Sequence, residues 1–102
     1  MSATYALLRS AIVAKQSVRL TAGGFIRDCS PHCIGTTHWV ERVLVFQFGG
    51  DSSKGLPRGG AWRCFDVDDV SGVAVLPGEP WRSGDDHTRR QSCVTSVDAE
   101  VC

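Results

Sequence analysis

Apolar positions recur with helical spacing at the start of the chain and with alternating spacing over most of the rest. Between Thr4 and Gln16, the side chains of Leu8, Ala11, Ile12 and Lys15 fall on one face, with Tyr5 three residues before Leu8. That spacing predicts one helix over residues 4–16. Ser2 or Thr4 can cap it, because a short hydroxyl accepts from an orphan backbone N–H. A helix of ~13 residues is too short to stand alone in water. It must dock on an apolar surface, and an open end of the following sheet is the expected one.

From Ser17 the period changes to two. Ser17-Val18-Arg19-Leu20-Thr21 alternates polar and apolar as a half-buried strand does. Gly23-Gly24 supplies the positive φ of a tight hairpin, and Phe25 to Cys29 returns. Ser30-Pro31 is expected to stop that strand, since Pro31 has no N–H for the ladder. Residues 33–40 read as irregular or as a short strand, with Gly35 as a bend. An almost wholly apolar run, Val43-Leu44-Val45-Phe46-Gln47-Phe48, lies within a strand from Arg42 to Phe48. A glycine-rich loop, Gly49 to Gly60, leads to a partner strand, Ala61 to Val67. Both strands are rich in β-branched and aromatic residues, which suit a pleated surface. Asp68 to Gly72 reads as a single helical turn ending at glycine. Val73 to Leu76 is a fifth strand, residues 79–90 a polar connector, and Ser92 to Val97 a last strand. Five or six short antiparallel strands after one helix predict a small, strongly bent barrel over residues 17–97, because closure removes sheet edges. The whole of 1–102 reads as one domain.

Composition narrows the function. An apolar fraction of 42% is that of a globular domain. Eleven basic and eleven acidic residues cancel, which argues against a strongly charge-driven polyanion binder, though a local basic patch is compatible with it. No apolar run reaches ~18–20 residues, so no membrane partner is expected. The first residues lack a basic n-region, and Arg9 and Lys15 interrupt the apolar positions after Tyr5, so no signal peptide is expected. Five cysteines cannot all pair within one chain. With no export signal, reduced thiols in the cytoplasm are the expectation.

Set in order, several short motifs resemble the WYL-domain family, in particular its short stand-alone relatives. The helix ends in Ala11-Ile12 with Lys15 and is followed by Val18-Arg19-Leu20. Pro31-His32 with Gly35 comes next, then Phe46-Gln47 before Gly49-Gly50 and Ser52-Ser53. Gly55 with Pro57, Trp62-Arg63 with Phe65, and Asp68-Asp69-Val70 complete the set, which spans residues 6–76. The Trp-Tyr-Leu tripeptide of the family name is absent. The resemblance implies an SH3/Sm-like barrel that senses a ligand, often a nucleotide or nucleic acid, and does no chemistry.

Three constellations could carry chemistry. Cys29, His32, Cys33 and His38 offer two thiolates and two imidazoles, the donor set of a tetrahedral zinc site. Their spacing, three residues with Pro31 among them, is not that of a zinc knuckle and fits better two small buried cysteines and a histidine packed at a strand end. The resemblance favours that second reading, since its Pro-His pair recurs without flanking cysteines. A nucleophilic Cys33 would need His32 or His38 as base and Asp28 to orient it, but no nucleophile elbow is present. The loop from Gly49 to Gly60 carries Lys54 and Arg58. It is not a P-loop, because Leu56-Pro57 follows Gly55 where Lys-Ser/Thr is needed. It reads as a surface loop or as a lid.

Arg63 shares a strand face with Phe65 and not with Trp62. It can stack on a base and hold a phosphate, or pair with Asp66 or Asp68. Arg82, Arg89 and Arg90 with His87, offset by Asp85 and Asp86, read as solvated surface. The expected function is a non-catalytic module for an anionic small molecule or a nucleic-acid segment. Arg63 and Arg58 would hold the ligand, with His32 and Lys54 assisting and Trp62 as the platform. No cofactor is called for. The alternatives are a homodimer built on an uncovered strand edge or the 49–60 loop, and a Cys/His metal site.

Overall fold

Ser2 begins the helix in this computed structural model, which describes residues 2–51, 55–56, 59–83 and 92–101. Its hydroxyl accepts from the Tyr5 amide at 3.1 Å and caps α1, Ala3–Ala14. The helix ends sooner than the periodicity predicts, because Lys15 takes left-handed backbone (φ 52°) and its N–H closes on the Ala11 and Ile12 carbonyls.

The first hairpin follows the sequence. β1 (Val18–Ala22) and β2 (Phe25–Thr37) are joined by Gly23 and Gly24 at φ 61° and 80°. Two consecutive positive-φ residues give a turn whose twist matches the strands it joins. Pro31 does not end β2, which runs on to Thr37. One edge of β2 pairs with β3 (Val40–Gly50) along its length. The other edge is shared: β1 pairs with it as far as Cys29, and β6 (Ser96–Glu100) takes over at Cys33. Pro31 falls in the gap between them, at an irregularity in the β2–β3 register. Its carbonyl accepts from Trp81 Nε1 at 3.1 Å. A side chain therefore covers the position where a strand would have required the missing N–H.

β4 (Ala61–Asp66) pairs with β3, and a short 3-10 turn, Val67–Asp69, leads into β5 (Val70–Val75), which pairs with β1. Gly72 lies inside β5 and does not close a turn. The last strand is Ser96–Glu100, later than the sequence suggests. Residues 93–95 instead bind the end of β2, with Thr37 Oγ1 donating to the Cys93 carbonyl at 2.8 Å and the Thr95 amide donating to the Thr36 carbonyl at 3.2 Å. The strand order is β4-β3-β2-β1-β5, with β6 beside the far half of β2. All pairings are antiparallel and the sheet is open: among the described residues β4 and β5 do not pair with one another. No helix of the described residues is long and apolar enough to cross a membrane.

One face of the sheet buries the helix. Tyr5, Leu8, Ala11 and Ile12 meet Val18, Leu20 and Ala22 of β1, Cys29 and Ile34 of β2, and Val43 and Val45 of β3. β6 approaches closely because Gly35 has no side chain; a Cβ there would collide with the Ser96 carbonyl oxygen and Val94.

Tyr5 also ties α1 to β6, its hydroxyl donating to Asp98 at 2.6 Å while Arg9 Nε donates to the same carboxylate at 3.1 Å. Burial, reinforced by that carboxylate, pushes the Tyr5 phenol up to about 12. A folded-state pKa above the unfolded value of ~10 leaves its stabilisation whole below pH ~10 and removes it as pH rises through the folded value. Alkaline denaturation should therefore begin above pH ~10 and shift in Tyr5→Phe. Following helix circular dichroism against pH in both proteins checks this, and identical curves would refute it.

Two of the cysteines correct the expectation of reduced thiols. Cys64 and Cys93 are joined in a disulfide, with 5.7 Å between their Cα atoms. Cys64 faces outward opposite Leu44 of β3, and the segment carrying Cys93 lies over that position, the Cys93 sulfur reaching the Val43 carbonyl at 3.6 Å. Such bonds persist mainly in oxidising compartments. Cys29 and Cys33 are buried free thiols.

Candidate functional site

Gln47 is the polar residue inside the apolar run of β3, and it is 0% exposed. Its position on the inner face follows Val43 and Val45 by strict alternation. Its amide nitrogen donates to the Gly49 and Asp51 carbonyls at 3.0 and 2.9 Å. Both amide hydrogens are thereby used and the side-chain oxygen must point the other way. Two guanidiniums meet it there: Arg27 Nη1 donates to Gln47 Oε1 at 3.2 Å and Arg63 Nε donates to the same oxygen at 3.3 Å.

Arg27 comes from β2, opposite Leu20, and is only 6% exposed. Its Nε donates to the Ala22 carbonyl at 3.0 Å, and its guanidinium lies over the Phe65 ring at 5.0 Å and the Phe25 ring at 5.7 Å. Among the described residues no carboxylate lies within ion-pairing distance of it. Burial and the neighbouring Arg63 charge both lower its pKa from the ordinary arginine value. Like charges brought to one acceptor repel one another, and the repulsion disfavours the charged form of Arg27. A single neutral amide oxygen, Gln47 Oε1, is shared between the two guanidiniums.

The residues expected from sequence to form the site divide between the two faces. Arg63 is half-buried on the inner face beside Phe65, as alternation predicts. It does not take Asp66 into an ion pair, since Arg42 Nε holds that carboxylate at 3.0 Å. Trp62 and His32 lie on the outer face. The His32 ring meets Trp62 edge-on at 4.7 Å and Trp81 at 4.3 Å, and Phe46 packs against Trp62 at 5.3 Å. Ser30 accepts from the Arg82 amide at 2.9 Å and exchanges a hydrogen bond with Ser17, so the chain at 80–82 is pinned over His32. His32 Nε2 faces the Arg82 carbonyl at 2.9 Å. His32 and Trp62 therefore pack together on the outer face, whereas Arg63 lies on the inner one. Lys54 and Arg58 lie outside the described residues.

Comparison with family models, with curated proteins and with solved structures gave no match.

The cysteine-histidine set does not assemble. Cys29 joins the inner core, Cys33 packs on the outer face with Cys93 and Val94, and His38 occupies the tip of the β2–β3 turn at φ 50°. Among the described residues no three His, Cys, Asp or Glu side chains are placed to hold a metal ion. Alternation across the Pro31 irregularity is what sends the two cysteines to opposite faces. Burial, with Glu100 beside it, pushes the Cys33 thiol up to about 12, which is the reverse of nucleophile activation.

Sequence reasoning reached Arg63 and missed Arg27 and Gln47. The signal was present in both: each is a polar residue at an inward position of an apolar alternation, Arg27 between Phe25 and Cys29, Gln47 after Val43 and Val45.

Proposed function

We propose that this protein is a non-catalytic module that binds an anionic ligand, a nucleotide-like small molecule or a nucleic-acid segment, where Arg27 and Arg63 converge on Gln47. The observation that carries the reading is the burial of Arg27 with no described carboxylate to pair it. A buried cation is expensive unless something compensates it. Gln47, two phenylalanine faces and one carbonyl compensate it in part. An anion received by the half-buried Arg63 would complete the compensation and reverse the repulsion between the two guanidiniums. An SH3/Sm-like barrel and a WYL-like relationship form part of the same proposal, supported by the antiparallel strands and the one N-terminal helix. So does a cytoplasmic location, against which the Cys64–Cys93 bond weighs.

A homodimer is the second reading. Trp39 is 97% exposed at the β2–β3 turn, with Val40 and Val97 also exposed. Light scattering across a concentration series separates the two, since the first needs no self-association.

A thermal-shift series with inorganic phosphate, nucleoside mono- and triphosphates and short oligonucleotides tests the first. A ligand at ~100 times its Kd adds about 2.7 kcal/mol, which is on the order of 10–20 °C for a domain of this size. The shift should vanish in Arg63→Gln and persist in His32→Gln. No shift with any anion, or an equal shift in Arg63→Gln, refutes the proposal.

A further inference from the structure

A different observation concerns the outer face. Cys33 of β2 pairs across the sheet with Leu44 of β3, and Leu44 with Cys64 of β4. Cross-strand partners share a face, so Cys33, Leu44 and Cys64 form a row two strand spacings long. Cys93 is bonded to Cys64 and belongs to the same buried cluster as Cys33, with Leu44 packed against that cluster. A disulfide sulfur thus shares one buried cluster with a free thiol.

We propose that Cys33, Cys93 and Cys64 are a thiol–disulfide exchange unit in which Cys93 passes between an outer partner, Cys64, and an inner one, Cys33. In the forward step the Cys33 thiol loses its proton and its sulfur forms a bond to Cys93 Sγ. The Cys64–Cys93 bond breaks with its electron pair going to Cys64, which leaves as a thiolate and takes up a proton from water. One disulfide and one thiol enter and leave, so no oxidant or reductant is required.

Exposure gives the exchange its consequence. Cys64 is exposed, Cys93 is 8% exposed and Cys33 is fully buried. The exchange converts a partly accessible disulfide and a hidden thiol into a hidden disulfide and an accessible thiol on β4. That thiol is a site for exchange with a small disulfide of the glutathione type, whose other half leaves as a thiol, or for an alkylating electrophile. β4 is released from the segment leading to β6 in the same step. In the resting state the exchange is slow because Cys33 is held protonated. Burial, then the charge of Glu100 on β6 and its hydrogen bond, hold it so, and the other groups packed on Cys33, Leu44 of β3 with Val94 and Cys93, are uncharged.

The test uses the native chain without reductant. The protein is held with iodoacetamide, quenched in acid and digested, and the linked and alkylated peptides are sequenced by mass spectrometry. Alkylation is irreversible and draws the exchange forward. Protein alkylated at Cys64 and linked Cys33–Cys93 should accumulate with time, about tenfold faster per unit rise in pH as Cys33 ionises. In Cys33→Ser and Cys33→Ala, each first shown by its melting curve to be folded and by mapping to keep Cys64–Cys93, Cys64 should stay unlabelled. Absence of a Cys33–Cys93 link in the wild type at high pH, or equal labelling of Cys64 without Cys33, overturns the proposal. Should both variants fail to fold, the wild-type peptide map decides alone, because it identifies the sulfur to which Cys93 is bonded.

Discussion

Replacing Gln47 with leucine should lower the stability of this domain by about 3–5 kcal/mol, the range found when one partner of a buried charged pair is removed. Leucine fills the space but takes the shared acceptor from both guanidiniums and the donors from the Gly49 and Asp51 carbonyls. Each hydrogen bond to a charged group accounts for ~1.5–3 kcal/mol and each stranded buried polar group for ~1–3 kcal/mol. The melting temperature should fall by well over 10 °C at roughly 4–8 °C per kcal/mol. A triple variant, Arg27→Met with Gln47→Leu and Arg63→Met, should recover most of the loss, because removing all members of a buried polar set is far less costly than removing one. Chemical denaturation of the three proteins measures both effects. A Gln47→Leu variant within ~1 kcal/mol of the parent would show that water reaches these arginines freely. Recovery in the triple variant would add that the arginines do not serve stability, which is what a binding role requires of them.

The second large effect belongs to the Cys64–Cys93 bond. Its partners stand 29 residues apart, and closing a loop of that length removes unfolded-chain entropy equivalent to ~3–4 kcal/mol. Cys64→Ala with Cys93→Ala should melt at least ~10 °C below the oxidised parent. Reductant should bring the parent close to the variant and leave the variant unchanged. The double substitution is needed, since Cys64→Ala alone leaves Cys93 free to bond with Cys33. A parent whose melting is indifferent to reductant would mean that the bond is not closed in solution.

Where the chain's periodicity was unambiguous, structure followed it. The Ser2 cap, the Gly23-Gly24 turn and the strand around Phe46 depend on interactions within a few residues, and such interactions are written locally. Pro31 misled for the opposite reason. A proline ends a strand only if its N–H is needed, and it is not needed at Pro31 because β1 pairs only as far as Cys29 and β6, from far along the chain, begins at Cys33. The same limit hid the disulfide. Nothing near Cys64 announces Cys93; the two meet because β3 places Leu44 beneath both. Arg63 was legible from alternation alone. Trp62 was legible as an aromatic but not as an outward one serving His32, because its neighbours come from β2 and from residues 80–82. Arg27 and Gln47 broke the apolar pattern at inward positions, and such breaks identify a site more sharply than the charged residues of a loop.

The shared edge of β2 has a bearing on synthesis. Hairpin partners of β2 lie next to it in the chain, whereas β6 comes from about sixty residues later. While residues 96–100 are still within the ribosome, the amides and carbonyls of residues 33–36 form an unfilled slot in an otherwise assembled sheet. Any extended segment passing by can occupy that slot by backbone pairing alone. Nascent chains should therefore be most prone to stick to one another during the interval before their final strand emerges.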